Sequence, residues 1–143
     1  MAHEISALII CSDRLDEVTR CLASLAKLGD RLHEVLLLKN APKQPWRDNC
    51  FDSVPSEVRN RLHIISTDKQ VFPTTGRNML AAQATGSVYL FLDDDSLVLE
   101  RKGIEDGLHI LKNEPTIGSI AYPQSTEDGK LGPYMQPAPV EHP

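Results

Sequence analysis

Three consecutive carboxylates, Asp93-Asp94-Asp95, follow directly on the apolar run of residues 88–92. Adjacent carboxylates repel one another, and either water or a hard cation relieves that repulsion. Mg²⁺ and Mn²⁺ prefer oxygen ligands, and Mg²⁺ commonly takes one or two carboxylates together with substrate phosphates. An ion held here would bridge a diphosphate and neutralise charge developing on it as a leaving group. In strand geometry, residues two apart point to the same side. Asp93 and Asp95 are therefore expected to converge while Asp94 faces elsewhere, so that Asp94→Ala costs the least of the three. The plainer alternative is an acidic loop that caps the next element. Upstream, Arg77 and Asn78 lie at the start of an expected helix, where positive charge and free backbone N–H groups both favour phosphate. A surface ion pair for Arg77 and helix-start hydrogen bonding for Asn78 are the competing roles.

These residues need a scaffold, and the chain supplies alternating strands and helices. Residues 5–11 form a nearly continuous apolar run, the pattern of a strand covered on both faces. Ser12 or Asp13 is placed to cap the next helix, with Asp16 and Glu17 in its first turn and Gly29 as its stop. Residues 34–39 read as a second buried strand, which completes a right-handed parallel βαβ unit. Pro42, Pro45 and Pro55 break up the next stretch, leaving a short helix at 56–60. Residues 62–66 are a third strand, and Thr74 or Thr75 caps a helix to about 84 that Gly86 ends. A fourth strand at 88–92 runs into the aspartates. A helix carrying Ile104, Leu108 and Leu111 on one face stops near Pro115, and 117–122 are expected as a fifth strand. Such alternation predicts an α/β fold with an open, mostly parallel sheet that binds ligands beyond the carboxyl ends of its strands.

Composition narrows the partners. The chain has 143 residues, 41% of them hydrophobic, with a formal charge of −5 and no basic stripe to meet nucleic acid. Three cysteines without CxxC spacing argue against a disulfide framework or a zinc site and for a cytoplasmic location. There is no signal-peptide profile and no run of the ~20 apolar residues a membrane span needs. Residues 1–122 are expected as one domain. Residues 123–143 hold five of the ten prolines and are expected as a loop or tail, or as the start of an acceptor-binding part. Self-association into a homo-oligomer is left open.

Gly76-Arg77-Asn78, then Ala84-Thr85-Gly86, then Leu90-Phe91-Leu92-Asp93-Asp94-Asp95 resembles the pattern of family 2 glycosyltransferases with a GT-A fold. In that family an Ala-Arg-Asn opens a helix, an Ala-Thr-Gly closes it, and a buried strand delivers an Asp-x-Asp motif. The likeness extends over roughly residues 4–122, including the polar turn with Arg14 after the first strand. It implies a sheet of order 3-2-1-4 with helices on both faces, a nucleotide-diphospho-sugar donor, Mn²⁺ or Mg²⁺ as cofactor, and sugar transfer to an acceptor hydroxyl. Ser12 and its neighbours, Arg14 among them, would line the base pocket. Arg77 and Asn78 would help hold the donor, Asp93 and Asp94 would face it, and Asp95 with Asp93 would ligate the metal.

Two departures stand out. Where the family usually has an acidic residue contacting the base, this chain has Lys39-Asn40. Lysine carries donors only, so Asn40 is left to accept a base N–H through its side-chain carbonyl. Family members also continue into an acceptor-binding segment that supplies a general base, whereas this chain turns proline-rich and stops. No catalytic base is named, since Glu127, Asp128 and Glu141 fall in no recognisable motif, and no residue identifies the acceptor. A non-catalytic or truncated nucleotide- or partner-binding module is therefore the main alternative. A haloacid-dehalogenase-type phosphatase is a lesser one, because Leu97 stands where its motif wants Thr or Val. Trp46 is read as a stacking residue or loop packing, and Cys11 as a buried structural thiol.

Overall fold

The structure is a computed structural model that describes residues 4–126 and 128–130. The chain divides into two compact units, Met1–Ile104 and Glu105–Pro143. The change of composition at Pro123 falls inside the second.

The first unit contains β1 (Ile5–Cys11), α1 (Leu15–Ser24), a 3₁₀ turn (Leu25–Arg31), β2 (Leu32–Asn40), α2 (Ser56–Arg59), β3 (Leu62–Thr67), α3 (Pro73–Ala81) and β4 (Val88–Asp93). The four strands form one all-parallel sheet in the expected order, β3-β2-β1-β4. β1 lies inside, and Ala7, Leu8 and Ile9 are buried on it because both of its edges and both of its faces are occupied. Register puts Leu8 beside Leu36 and Phe91 on one face. There Leu8, Leu36, Leu38 and Leu80 of α3 form a core with Ile10, Ile65 and Met79 packed against it. Val18, Cys21, Leu22, Leu25 and Leu28 are fully buried, and each such leucine contributes about 2 kcal/mol of apolar burial.

Strand order explains where the helices go. From β1 to β2 to β3 the chain steps one way across the sheet, and from β3 it returns to β4 on the far side of β1. Right-handed crossovers therefore place α1 and α2 on one face and α3 on the other. The reversal creates a switch point between the carboxyl ends of β1 and β4.

Gly86 and Glu34 lock the opposite end of the sheet. The buried Glu34 carboxylate accepts hydrogen bonds from Ser6 Oγ (2.7 Å), the Thr85 N–H (2.6 Å) and Thr85 Oγ1 (3.0 Å). The Gly86 N–H donates to Ser6 Oγ at 2.9 Å. A Cβ on Gly86 would lie 2.5 Å from Ser6 Oγ and 2.7 Å from the Glu4 carbonyl oxygen, so only glycine lets β4 start this close to β1. The Ala-Thr-Gly run is thus a clamp between strands.

Some local expectations are corrected. Neither Ser12 nor Asp13 caps α1: Ser12 Oγ donates to the Asn40 carbonyl (2.9 Å), and Asp13 Oδ1 accepts the Lys43 N–H (2.7 Å). Both side chains tie the turn to the loop after β2, and Arg14 occupies the cap position. α3 begins at Pro73, not after Thr74 or Thr75, because a proline at the first helical position gives up no needed N–H. In the second unit α4 (Arg101–Asn113, whose first turn belongs to the first unit) forms as expected, but residues 117–122 make no strand. Gly118 and Ser119 interrupt that run, and most of it is exposed, so a ladder there would gain little burial.

Candidate functional site

At the switch point a cleft of about 550 Å³ opens beyond the carboxyl ends of β1, β2 and β4. Ser12, Asp13 and Arg14 from the turn after β1 line it, together with Asn40, the 70–73 segment, Arg77, Asp93 and Asp94. Six residues expected at the site (Ser12, Arg14, Asn40, Arg77, Asp93, Asp94) therefore meet. Asn78 and Asp95 do not line the cleft: Asn78 is exposed on α3, and Asp95 is held by Arg14. Arg77 stands in the second turn of α3, four residues past its first, so it reaches the cleft by its length and not by sitting at the N-terminus.

The three aspartates separate differently from the strand-based expectation. β4 ends at Asp93, and the chain turns at Asp94 and Asp95, so the alternation of side chains stops where it was to be applied. Asp94 is the buried one, at 6% exposure. Its two oxygens are both engaged by Arg14, Oδ2 from Nε at 3.3 Å and Oδ1 from Nη2. Arg14 also donates from Nη1 to Asp95 Oδ2 at 2.8 Å. Asp93 instead accepts from Arg77 Nη2 on Oδ1 at 3.1 Å. Burial holds the Asp94 carboxyl above the usual carboxylate range, although Arg14 pulls the other way.

Two thiols lie beneath this cluster. Cys11 Sγ sits 3.6 Å from the Arg14 carbonyl oxygen and Cys21 Sγ 3.7 Å from that of Asp93. Burial, reinforced by the negative charge of Asp94, pushes each up to about 12. Both stay protonated at neutral pH and act as packing, as expected for Cys11.

The loop after β2 forms a braced wall. Ala41 takes a left-handed φ of 42°, a strained value for a residue with a Cβ. Asn40 uses its side chain as a splint: Nδ2 donates to the Val71 carbonyl (3.0 Å) and Oδ1 accepts the Val71 N–H (2.9 Å). Thr67 Oγ1 also donates to Oδ1 at 3.4 Å. Its carbonyl is thus spent within the protein, and the sequence-based role of accepting a base N–H loses its free acceptor. Trp46 donates from Nε1 to the Ser12 carbonyl (2.9 Å), packs edge-on against Phe51, and carries Lys39 Nζ over its ring at 5.4 Å. Of its two expected roles, the indole fills the loop-packing one.

The sequence pattern described as Glycosyl transferase family 2 matches residues 6–137. The chain belongs to glycosyl transferase family 2. No curated protein matches it by sequence. Among solved structures, S. aureus TarS 1-349 is similar at 20% identity and TM-score 0.62, over 85% of this chain and 39% of that one. The mannosyltransferase PcManGT from Pyrobaculum calidifontis, in complex with GDP-Man and Mn²⁺, is similar at 17% identity and TM-score 0.65, over 82% and 34%. TarS 1-349 in complex with UDP gives 20% identity and TM-score 0.63, over 85% and 38%. These are likenesses of GT-A fold, and the chain spans well under half the length of each.

The family 2 match spans the aspartate run and the strands and helices around it, which leaves the phosphatase alternative without support. What sequence reasoning missed in this family 2 domain is the segment before α3. Gln70, Val71, Phe72 and Pro73 line the cleft, and Phe72 is 82% exposed. Pro73, read as a helix-opening proline, would have placed Gln70 and Phe72 at the carboxyl edge. Asp13 lines the cleft as one of the neighbours of Ser12 expected there. Of the carboxylates weighed as a general base, Asp128 is tied into a local turn by Thr126 and by Lys130 Nζ at 3.1 Å. Glu127 and Glu141 lie outside the described residues, as do the prolines from 133 onward.

Proposed function

We propose that this chain is the donor-binding portion of a glycosyltransferase that moves a hexose from a nucleoside diphosphate to an acceptor hydroxyl. The observation that carries the reading is the meeting of Arg14, Arg77, Asp93 and Asp94 at the switch-point cleft of a family 2 domain. Two of the similar structures were determined with GDP-Man and Mn²⁺ or with UDP. The turn at Ser12 and Asp13 faces the base, and the free oxygen of Asp13 is the acceptor that Asn40 no longer offers. The guanidinium groups of Arg14 and Arg77 bind and orient the diphosphate.

The residues present fit a divalent metal that arrives with the diphosphate. Asp93 and Asp95 are each about half exposed, and each engages its arginine through a single carboxylate oxygen. Among the described residues no group of three or more His, Cys, Asp or Glu side chains is placed to hold an ion on protein ligands alone. Phosphate oxygens would complete the coordination shell, as Mg²⁺ sites usually arrange. Asp95 and Asp93 would hold the ion, and it would neutralise charge on the departing diphosphate. We also propose a cytoplasmic site of action: the three cysteines are free, as a reducing compartment leaves them. No helix among the described residues is long and apolar enough to cross a membrane.

Calorimetric titration with UDP and GDP, in Mn²⁺ and in EDTA, tests the proposal. Binding that requires Mn²⁺ and weakens in Asp95→Ala is expected. Equal affinity in EDTA sinks the metal role, and no binding of either nucleotide sinks the donor role. Tight binding of a nucleotide-sugar without sugar transfer or hydrolysis would instead identify a non-catalytic module.

A further inference from the structure

We infer that Arg14 is a positioning residue that couples metal binding to donor binding, acting as a resident cation that the metal must displace from Asp95. The inference rests on the donor-binding reading above and adds a regulatory element to it.

Arg14 has five N–H donors. Three are used on carboxylates, two of them on Asp94 and one on Asp95. The two partners are unequal. Asp94 is buried and takes the guanidinium edge-on through both oxygens, while Asp95 is half exposed and holds it by one bond. Asp94 therefore anchors the group, and Asp95 is the contact that gives way. Arg14 lines the cleft with its side chain half exposed, so its remaining donors are accessible to an anion there.

In the nucleotide-free protein the positive charge on Asp95 comes from Arg14, and a metal ion gains little by competing for that oxygen. A diphosphate entering the cleft offers the guanidinium a second anion. Arg14 then pivots about Asp94, releases Asp95 and leaves that carboxylate free for the ion. Metal and nucleotide thus raise each other's affinity, as linkage requires. The device keeps the acidic cluster from collecting a divalent ion when no donor is present.

The test measures Mn²⁺ affinity by electron paramagnetic resonance, alone and with saturating UDP or GDP. It compares the wild type with the charge-conserving double variant Arg14→Gln/Asp94→Asn, which leaves no buried carboxylate stranded. Thermal melts check folding. In the wild type, nucleotide should tighten Mn²⁺ binding by about tenfold or more. In the double variant, Mn²⁺ alone should bind several-fold more tightly than to the wild type, and the enhancement by nucleotide should shrink to about threefold or less. Should the double variant not fold, Arg14→Lys serves: one ammonium held by Asp94 releases Asp95, and the same two shifts are expected. Unchanged or weaker binding of Mn²⁺ alone, or an undiminished enhancement, overturns the coupling role while leaving nucleotide binding intact. A wild type that binds neither UDP nor GDP overturns the proposed function and this inference with it.

Discussion

The two ends of the sheet each hold a buried carboxylate, and they treat it in opposite ways. At the amino end Glu34 is surrounded by neutral donors from Ser6 and Thr85. Burial works against its charge, but the backbone N–H of Thr85 and the two hydroxyls outweigh it and hold the carboxyl below its usual range. At the carboxyl end Asp94 meets a guanidinium that is itself half in water, and its carboxyl lies above the usual range. The first arrangement is closed, with every donor aimed inward. The second is open, with cationic donors to spare facing a cleft. A carboxylate satisfied by neutral groups fastens the fold, whereas one paired with a half-exposed cation keeps charge available for a ligand.

The largest break in this comparison is expected from Arg14→Ala. It strands Asp94 as a buried unpaired carboxylate and should cost about 3 kcal/mol at neutral pH, toward the lower end for such a loss because Arg14 is half exposed. Nucleotide affinity should fall with it. A raised folded-state carboxyl binds its proton more tightly than the unfolded chain does, so the penalty should shrink as pH falls and Asp94 is neutralised. Denaturant melts at pH 8 and pH 5 check this, and a penalty that grows on acidification would contradict the assignment. Gly86→Ala should follow at about 2 kcal/mol, because its Cβ meets backbone atoms of Glu4 and Ser6 that cannot swing aside. A melting temperature within a degree of the wild type would show the clamp to be slack.

Glu34→Gln comes next, at about 1.5 kcal/mol for charge-assisted hydrogen bonds made neutral. The sign is opposite to that of Asp94. A lowered folded-state carboxyl stabilises fully above its ordinary value of 4.5, and that contribution is lost as pH falls through the lower folded value. The gap between wild type and Glu34→Gln should therefore be widest at neutral pH and close on acidification, and donor binding should be unaffected. A pH-independent gap would mean the charge of Glu34 contributes nothing. The smallest effect belongs to Gly76→Ala. Its Cβ would lie 2.7 Å from Ile10 Cδ1 and 2.9 Å from Leu38 Cδ2, both ends of side chains that can turn. That crowding is offset by the roughly 1 kcal/mol alanine gains over glycine in a helix, so the net change should stay within about 1 kcal/mol. A large loss would show that α3 cannot shift relative to the sheet.

Much of this molecule was legible in the sequence. Apolar runs and their punctuation located four strands, and resemblance to a known pattern carried their order, because periodicity and turn chemistry are local properties that the chain expresses residue by residue. The carboxylates were placed at the end of β4 for the same reason, and β4 does end there. What sequence could not assign was the division of labour among them. That depended on β4 ending at Asp93, one residue before alternation would have turned Asp94 away, and on a turn 80 positions earlier bringing Arg14 against it. Asn40 tells the same story: its amide looked available until Val71, 31 residues on, was found to occupy both ends of it. Burial and partner are set by what arrives from elsewhere in the chain, so tertiary structure alone decided which carboxylate is anchored through both oxygens, which are held by one, and where the cations wait.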